Sequence, residues 1–107
     1  MHDPIVSVVV PTYDRAALVC ESVASLLAQT GVEFEVIVAD DGSTDDTQAR
    51  LAAIGDPRLR VLALPHGGVA AARNAGVAAA RGRFVAFHDS DDLALPGRLA
   101  RPVAVLT

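Results

Sequence analysis

The 107 residues carry a net charge of −4 and one cysteine, Cys20, which is enough chain for a single domain with a real core, too little for two, and no intrachain disulfide. No apolar run approaches the roughly 18 residues that span a bilayer, and the opening MHDPIV lacks the basic flank and cleavage site of a secretory signal, so a cytoplasmic protein is expected. All nine basic residues are arginines scattered singly, which argues against nucleic acid as a partner.

Ile5 to Val10 (IVSVVV) is a short Val-rich run of the kind that forms a strand buried on both faces. After PTYDR, the spacing of Leu18, Val19, Val23, Leu26 and Leu27 predicts a first helix, with Gly31 beyond its end. Cys20 falls in that helix as a small buried thiol with no assigned chemistry. Phe34 to Ala39 (FEVIVA) reads as a second strand, and Ser43 with Asp46 three residues on is a capping-box pattern opening a second helix around Ala49, Leu51, Ala52, Ala53 and Ile54. Leu59 to Leu64 (LRVLAL) is the third strand. The Ala-rich VAAARNAGVAAAR, residues 69 to 81, is the third helix, stopped by Gly82. Phe84 to Phe87 (FVAF) is the fourth strand. Pro96 could open a fourth helix, which Pro102 would shorten or bend at a cost of about 3 kcal/mol.

Strands alternating with helices predict an α/β fold: an open, mostly parallel sheet of about four strands with helices on both faces. In such a sheet all strands end at one edge, where ligands bind. Three polar clusters follow three strands: Thr12-Tyr13-Asp14, Asp40-Asp41-Gly42-Ser43, and Asp89-Ser90-Asp91-Asp92. Seven of the thirteen acids lie in DDGSTDD and DSDD alone, so folding is expected to gather them. The third strand runs into Pro65-His66-Gly67-Gly68, whose glycines either make a turn or bring main-chain N–H groups to a phosphate.

Carboxylates beside a phosphate repel it, and Arg73, the nearest basic residue in sequence, would not balance three acids and a diphosphate. A hard divalent cation, Mg²⁺ or Mn²⁺, would. Asp89 and Asp91, held at the end of an apolar strand, are expected to place one carboxylate on the metal and the other on the metal or a sugar hydroxyl. Strand alternation turns His88 away from Asp89, making it a packed or surface residue rather than a ligand. His2 and His66 have no clear partners and are read as incidental.

VSVVVPTYDR, VIVADDGSTDDT, AARNAGVAAARGRFVAFHDSDD and LPGRL, in this order, resemble the nucleotide-binding half of the second family of inverting glycosyltransferases, whose fold is the Rossmann-like GT-A type. The resemblance implies that Pro11, Thr12 and Tyr13 line a nucleoside pocket, with Tyr13 beside the base, and that Asp41 accepts a hydrogen bond from a uracil-like N–H. Asp40 would support that loop or reach the ribose. Asp89-Ser90-Asp91 matches the family's DxD motif, Asp91 being the firmer metal ligand and Asp89 lying near ribose or metal. Arg73 and Asn74 match a segment bordering the donor.

In that reading a nucleoside diphosphate sugar, a UDP-sugar by family weight, gives its sugar to the hydroxyl of an unknown acceptor with inversion. The general base is expected beyond residue 107, since none of the residues after Asp92 is acidic. Residues 1–107 are thus expected to be one nucleotide-sugar-binding domain cut before the acceptor half, inactive in isolation, with self-association through the cut core a further expectation. A non-catalytic module binding nucleotide sugar and metal is the alternative. A haloacid dehalogenase-type phosphatase with Asp89 as nucleophile fits less well, as does a phosphoacceptor domain using Asp40 and Asp41, because the chain has no lysine.

Overall fold

The computed structural model describes residues 4–95 and 97–98. His2, Pro96 and Pro102 lie outside the described residues; where the fourth helix is expected to begin, Gly97 has φ of 83° and forms a turn with Arg98. Strands β1 (Val6–Thr12), β2 (Phe34–Asp40), β3 (Leu59–Ala63) and β4 (Phe84–Phe87) alternate with helices α1 (Ala16–Leu27), α2 (Thr47–Ala52) and α3 (Val69–Ala79). The strands form one parallel sheet in the order β3-β2-β1-β4, the α/β architecture expected.

Side chains alternate across a strand, so β1 serves two layers. Val6, Val8 and Val10 pack with Val36 and Val38 of β2 against Val19, Val23 and Leu26 of α1 and Leu51 of α2. Val9 points to the opposite face, where α3 crosses. A Cβ at Gly76 would lie 2.4 Å from Val9 Cγ1, so α3 approaches β1 as closely as it does because residue 76 has no side chain. Only β1 and β2 are buried along their whole length; β3 and β4 are partly exposed. The expectation of four strands buried on both faces therefore holds for the central pair, since an edge strand has one neighbour and incomplete helical cover.

Pro11 lies within β1, opposite Ala39. Thr12 O accepts Asp41 N–H on the β2 side and Val9 O accepts His88 N–H on the β4 side, so alternation points the Pro11 nitrogen toward β4. Pairing between β1 and β4 has by then ended, at Val9 and Phe87. The missing donor costs no ladder bond.

The second helix departs from expectation. It starts at Thr47 and ends at Ala52, and its N-cap residue, Asp46, makes no side-chain capping bond. Ser43 does not form the capping box: its N–H and hydroxyl both bind the Asp40 carboxylate. The Asp45 carboxylate instead accepts the N–H and hydroxyl of Thr47. Asp40 outcompetes the helix for Ser43 because it sits rigidly at the end of a buried strand, three residues away.

At the opposite edge of the sheet, buried Glu35 accepts hydrogen bonds from Ser7 Oγ at 2.6 Å, Arg60 at 2.8 Å and Arg81 N at 2.8 Å. Ser7 Oγ accepts Gly82 N–H in turn. One carboxylate thereby ties β1, β2, β3 and the α3–β4 connection together. Burial works to raise the Glu35 carboxyl, and the bonds from Ser7, Arg60 and Arg81 with the Arg60 charge outweigh it, leaving it below the usual range.

Candidate functional site

The chain leaves β1 through α1 on one face and returns to β4 through α3 on the other, so the sheet's switch point lies at the carboxyl end of β1, the location where open α/β sheets bind ligands. A cavity of about 480 Å³ opens there, within the usual range for small-molecule sites of about 300–1,000 Å³. It is lined by Pro11, Thr12 and Tyr13 after β1, Asp41 after β2, His66 and Gly68 before α3, and Asp89, Ser90 and Asp91 after β4.

Two loops form one wall. Asp14, with φ of 49°, turns its carboxylate to Thr44 N–H at 2.6 Å, while its own N–H donates to Ser43 Oγ at 2.9 Å. Beneath them the fully buried Asp40 binds Ser43 through one oxygen and Gln48 Nε2, at 2.9 Å, through the other. Both Asp40 oxygens are thus spent on the loop and the residue does not line the cavity.

Asp41 is buried and accepts Gly67 N–H at 2.8 Å and Gly68 N–H at 3.0 and 3.2 Å. The N–H groups before α3 are therefore occupied by the protein's own carboxylate, so of the two readings of Gly67 and Gly68 the structure favours the turn over the phosphate cradle. Gly67 N–H chiefly holds the Asp41 carboxyl below its usual range, with Gly68 and His66 acting the same way against burial. His66, far from incidental, places Nδ1 2.9 Å from Asp41 O and 3.0 Å from Asp41 Oδ2. Its ring lies 4.4 Å from that of Tyr13 at a tilt of 32°. Gly42 permits this arrangement: with φ of 78°, a Cβ there would lie 2.8 Å from His66 N.

The acidic segment after β4 is a tight turn, closed by Asp92 N–H donating to Asp89 O at 3.1 Å. Helix α1 holds it from below, Ser22 Oγ donating to Asp89 O at 3.3 Å and Ser25 Oγ accepting Ala94 N–H at 2.8 Å. His88 is buried, as expected of a packed residue, and its Nε2 donates to Asp92 O at 3.0 Å. Above this base the carboxylates of Asp89, Asp91 and Asp92 are all exposed, each offering an oxygen within 4.8 Å of the others. Three hard oxygen donors on one turn suit Mg²⁺ or Mn²⁺, which take few carboxylates and fill their remaining positions with water or phosphate oxygens.

Positive charge reaches these acids from two sides. Arg73 lies 3.9 Å from Asp89 and over the Phe87 ring, 5.7 Å from its centroid. Arg15 lies 3.7 Å from Asp91 and lines the cavity. Sequence reasoning singled out Arg73 and passed over Arg15, although its place between Tyr13 and the first helix put it at the same sheet edge. Asn74 is exposed on α3 and does not line the cavity. Ser90 and Thr12 line it and are buried. Thr12 Oγ1 has no hydrogen-bond partner, a costly state for a buried hydroxyl.

The chain is similar to known proteins in sequence and in structure, a glucosyltransferase and a mannosyltransferase among them. It is 50% identical over 101 residues to the succinoglycan biosynthesis protein ExoO of Rhizobium meliloti, covering 94% of this chain and 29% of that protein. It is 35% identical over 107 residues to WfgD of Escherichia coli, a UDP-Glc:alpha-D-GlcNAc-diphosphoundecaprenol beta-1,3-glucosyltransferase, covering 99% of this chain and 42% of the relative. Among solved structures, S. aureus TarS in complex with UDP-GlcNAc superposes with a TM-score of 0.85 at 36% identity, over 95% of this chain and 31% of that one. The mannosyltransferase PcManGT from Pyrobaculum calidifontis, in complex with GDP-Man and Mn²⁺, gives 0.84 at 33% identity, over 100% of this chain and 33% of its own. The chain thus spans less than half the length of each of these relatives. The model of glycosyl transferase family 2 matches residues 7–107, and the chain belongs to that family.

Proposed function

We propose that this chain is the donor site of a sugar transferase, binding a UDP-sugar together with Mg²⁺ or Mn²⁺, and that in the full-length enzyme an acceptor hydroxyl displaces UDP with inversion at the anomeric carbon. The observation that carries this reading is one cavity with Tyr13 and Asp41 on one side and Asp89 and Asp91 on the other. A base needs a flat partner and one directional polar contact, which Tyr13 and Asp41 supply. The buried Thr12 hydroxyl, now without a partner, gains one from the nucleoside. Two relatives support the donor class, since TarS has been solved with UDP-GlcNAc and PcManGT with GDP-Man and Mn²⁺.

Asp91 and Asp89 would hold the metal, with Asp92 within reach. Bound there, it would offset the charge that grows on the departing diphosphate. Arg15 and Arg73 sit in long, exposed pairs with Asp91 and Asp89, contacts weak enough to give up for the diphosphate. Ser90, buried between the two acids, lines the cavity where the donor would lie. Every carboxylate of the cavity then has a task, so the base that activates the acceptor hydroxyl is assigned to another part of the full-length protein. The undecaprenol-linked acceptor in the name of WfgD supports a site working at a membrane face, which we place on its cytoplasmic side. Among the described residues no helix is long and apolar enough to cross a membrane.

Titration calorimetry with UDP tests the proposal. Binding that requires Mg²⁺ or Mn²⁺ and exceeds that of inorganic pyrophosphate is expected. Binding indifferent to metal, or equal for UDP and pyrophosphate, rules it out.

A further inference from the structure

The Asp41 carboxylate has about four lone-pair positions, and three donors already crowd its two oxygens, one of them shared between both. Oδ1 accepts from Gly67 and Gly68, and Oδ2 faces Gly68 N at 3.0 Å and His66 Nδ1 at 3.0 Å. Three of these four contacts come from the main chain of one turn and cannot leave without unravelling the start of α3. The fourth comes from a side chain that is 60% exposed. His66 Nδ1 faces two acceptors, the Asp41 carbonyl and a carboxylate held ionised, so this nitrogen carries the proton. His66 is therefore a flat ring that presents an N–H to Asp41 and lies 4.4 Å from Tyr13.

Those are the two contacts a nucleobase would seek in this cavity. We propose that the His66 ring stands in the place of the base in the free protein and is displaced when a nucleotide binds. The inference rests on the donor-site reading of Tyr13 and Asp41 and adds a competitor inside the site. The His66 main chain is fixed against Gly42, where a Cβ would meet its nitrogen at 2.8 Å, so displacement is a rotation of the side chain while the loop stays. An incoming uracil exchanges its N3–H for the Nδ1–H on Oδ2 and its ring face for the imidazole on Tyr13. Cytosine has no ring N–H at that edge and could reach the carboxylate only through its exocyclic amino group. His66 thus keeps the Asp41 carboxylate hydrogen-bonded in the free protein and sets a threshold that a base must exceed with both contacts.

Two measurements test this on the intact chain with UDP and Mg²⁺. First, His66→Ala removes the competitor, and its affinity for UDP should rise by roughly three- to tenfold, the worth of one exchanged hydrogen bond. A lower or unchanged affinity means that the ring is a permanent part of the base platform and overturns the inference. Second, the nuclear Overhauser effect between the Tyr13 and His66 ring protons in the free protein should vanish at saturating UDP. Its persistence likewise overturns the inference while leaving the donor site standing. Failure of both proteins to bind UDP at all overturns the donor-site reading itself, and this inference with it.

Discussion

The carboxylate of Asp14 accepts the N–H of Thr44 at 2.6 Å, joining the loop that carries Tyr13 to the loop that carries Asp41. Asp14 itself has φ of 49°, a left-handed conformation that Asp and Asn tolerate better than most residues. Replacing it with Ala removes the acceptor and strains the main chain. Asp14→Ala should lose about 1–2 kcal/mol of stability by urea unfolding and weaken UDP binding several-fold, whereas Asp14→Asn should retain most of both. Equal behaviour of the two variants would show that the loops are held by something else.

Asp91 is exposed, and its pair with Arg15 is long at 3.7 Å. Removing the charge should leave stability within about 0.5 kcal/mol, while Asp91→Asn should abolish the dependence of UDP binding on Mn²⁺. Calorimetry with and without the metal reads this directly. A variant that still needs Mn²⁺ would place the ion on other residues.

Glu35 gives the protein an acid limit. Its carboxyl lies below the usual range in the folded state, so the folded form binds its proton less readily than the unfolded chain does. Its contribution is fully present above the ordinary Glu value of about 4.3 and is lost as pH falls below that value toward the lower folded one. Thermal midpoints should decline across this window. Glu35→Gln should flatten that decline and, at neutral pH, cost about 1–3 kcal/mol by removing the charged acceptor shared by Ser7, Arg60 and the Arg81 N–H, with Arg60 keeping its bond to Ala79 O.

Gly76 should not tolerate even a methyl group. Ala is worth about 1 kcal/mol more than Gly in a helix interior, but its Cβ would lie 2.4 Å from a γ-methyl of Val9, which is buried and β-branched. Overpacking of this kind costs about 1–3 kcal/mol. Gly76→Ala should therefore unfold at lower urea concentration than wild type, and Gly76→Ala with Val9→Ala should recover part of the loss.

Composition and periodicity disclosed the class of fold because strands and crossing helices have different periods, and the short run FVAF matches β4 residue for residue. They also put Tyr13, Asp41 and Asp91 on one edge, where a single cavity now contains all three. What they missed depends on partners distant in sequence. His66 looks idle until β3 carries it beside Asp41, twenty-five positions earlier. Ser43 followed by Asp46 spells a cap, but Asp40 claims Ser43 first. Gly76 looks like a weak point in an Ala-rich helix until Val9 is seen beneath it. Arg15 hid among scattered arginines, since the acid it faces lies at the far end of the chain.

Pro11 has an effect beyond sparing a ladder bond. Where β4 turns aside, the flank of β1 is a short bare edge, and bare edges invite another strand to zip on. An ordinary residue there would offer a hydrogen to such an intruder; an imino acid offers none. The mouth of the crevice is thus kept open by one ring closure in the backbone, at the point where a ligand has to pass.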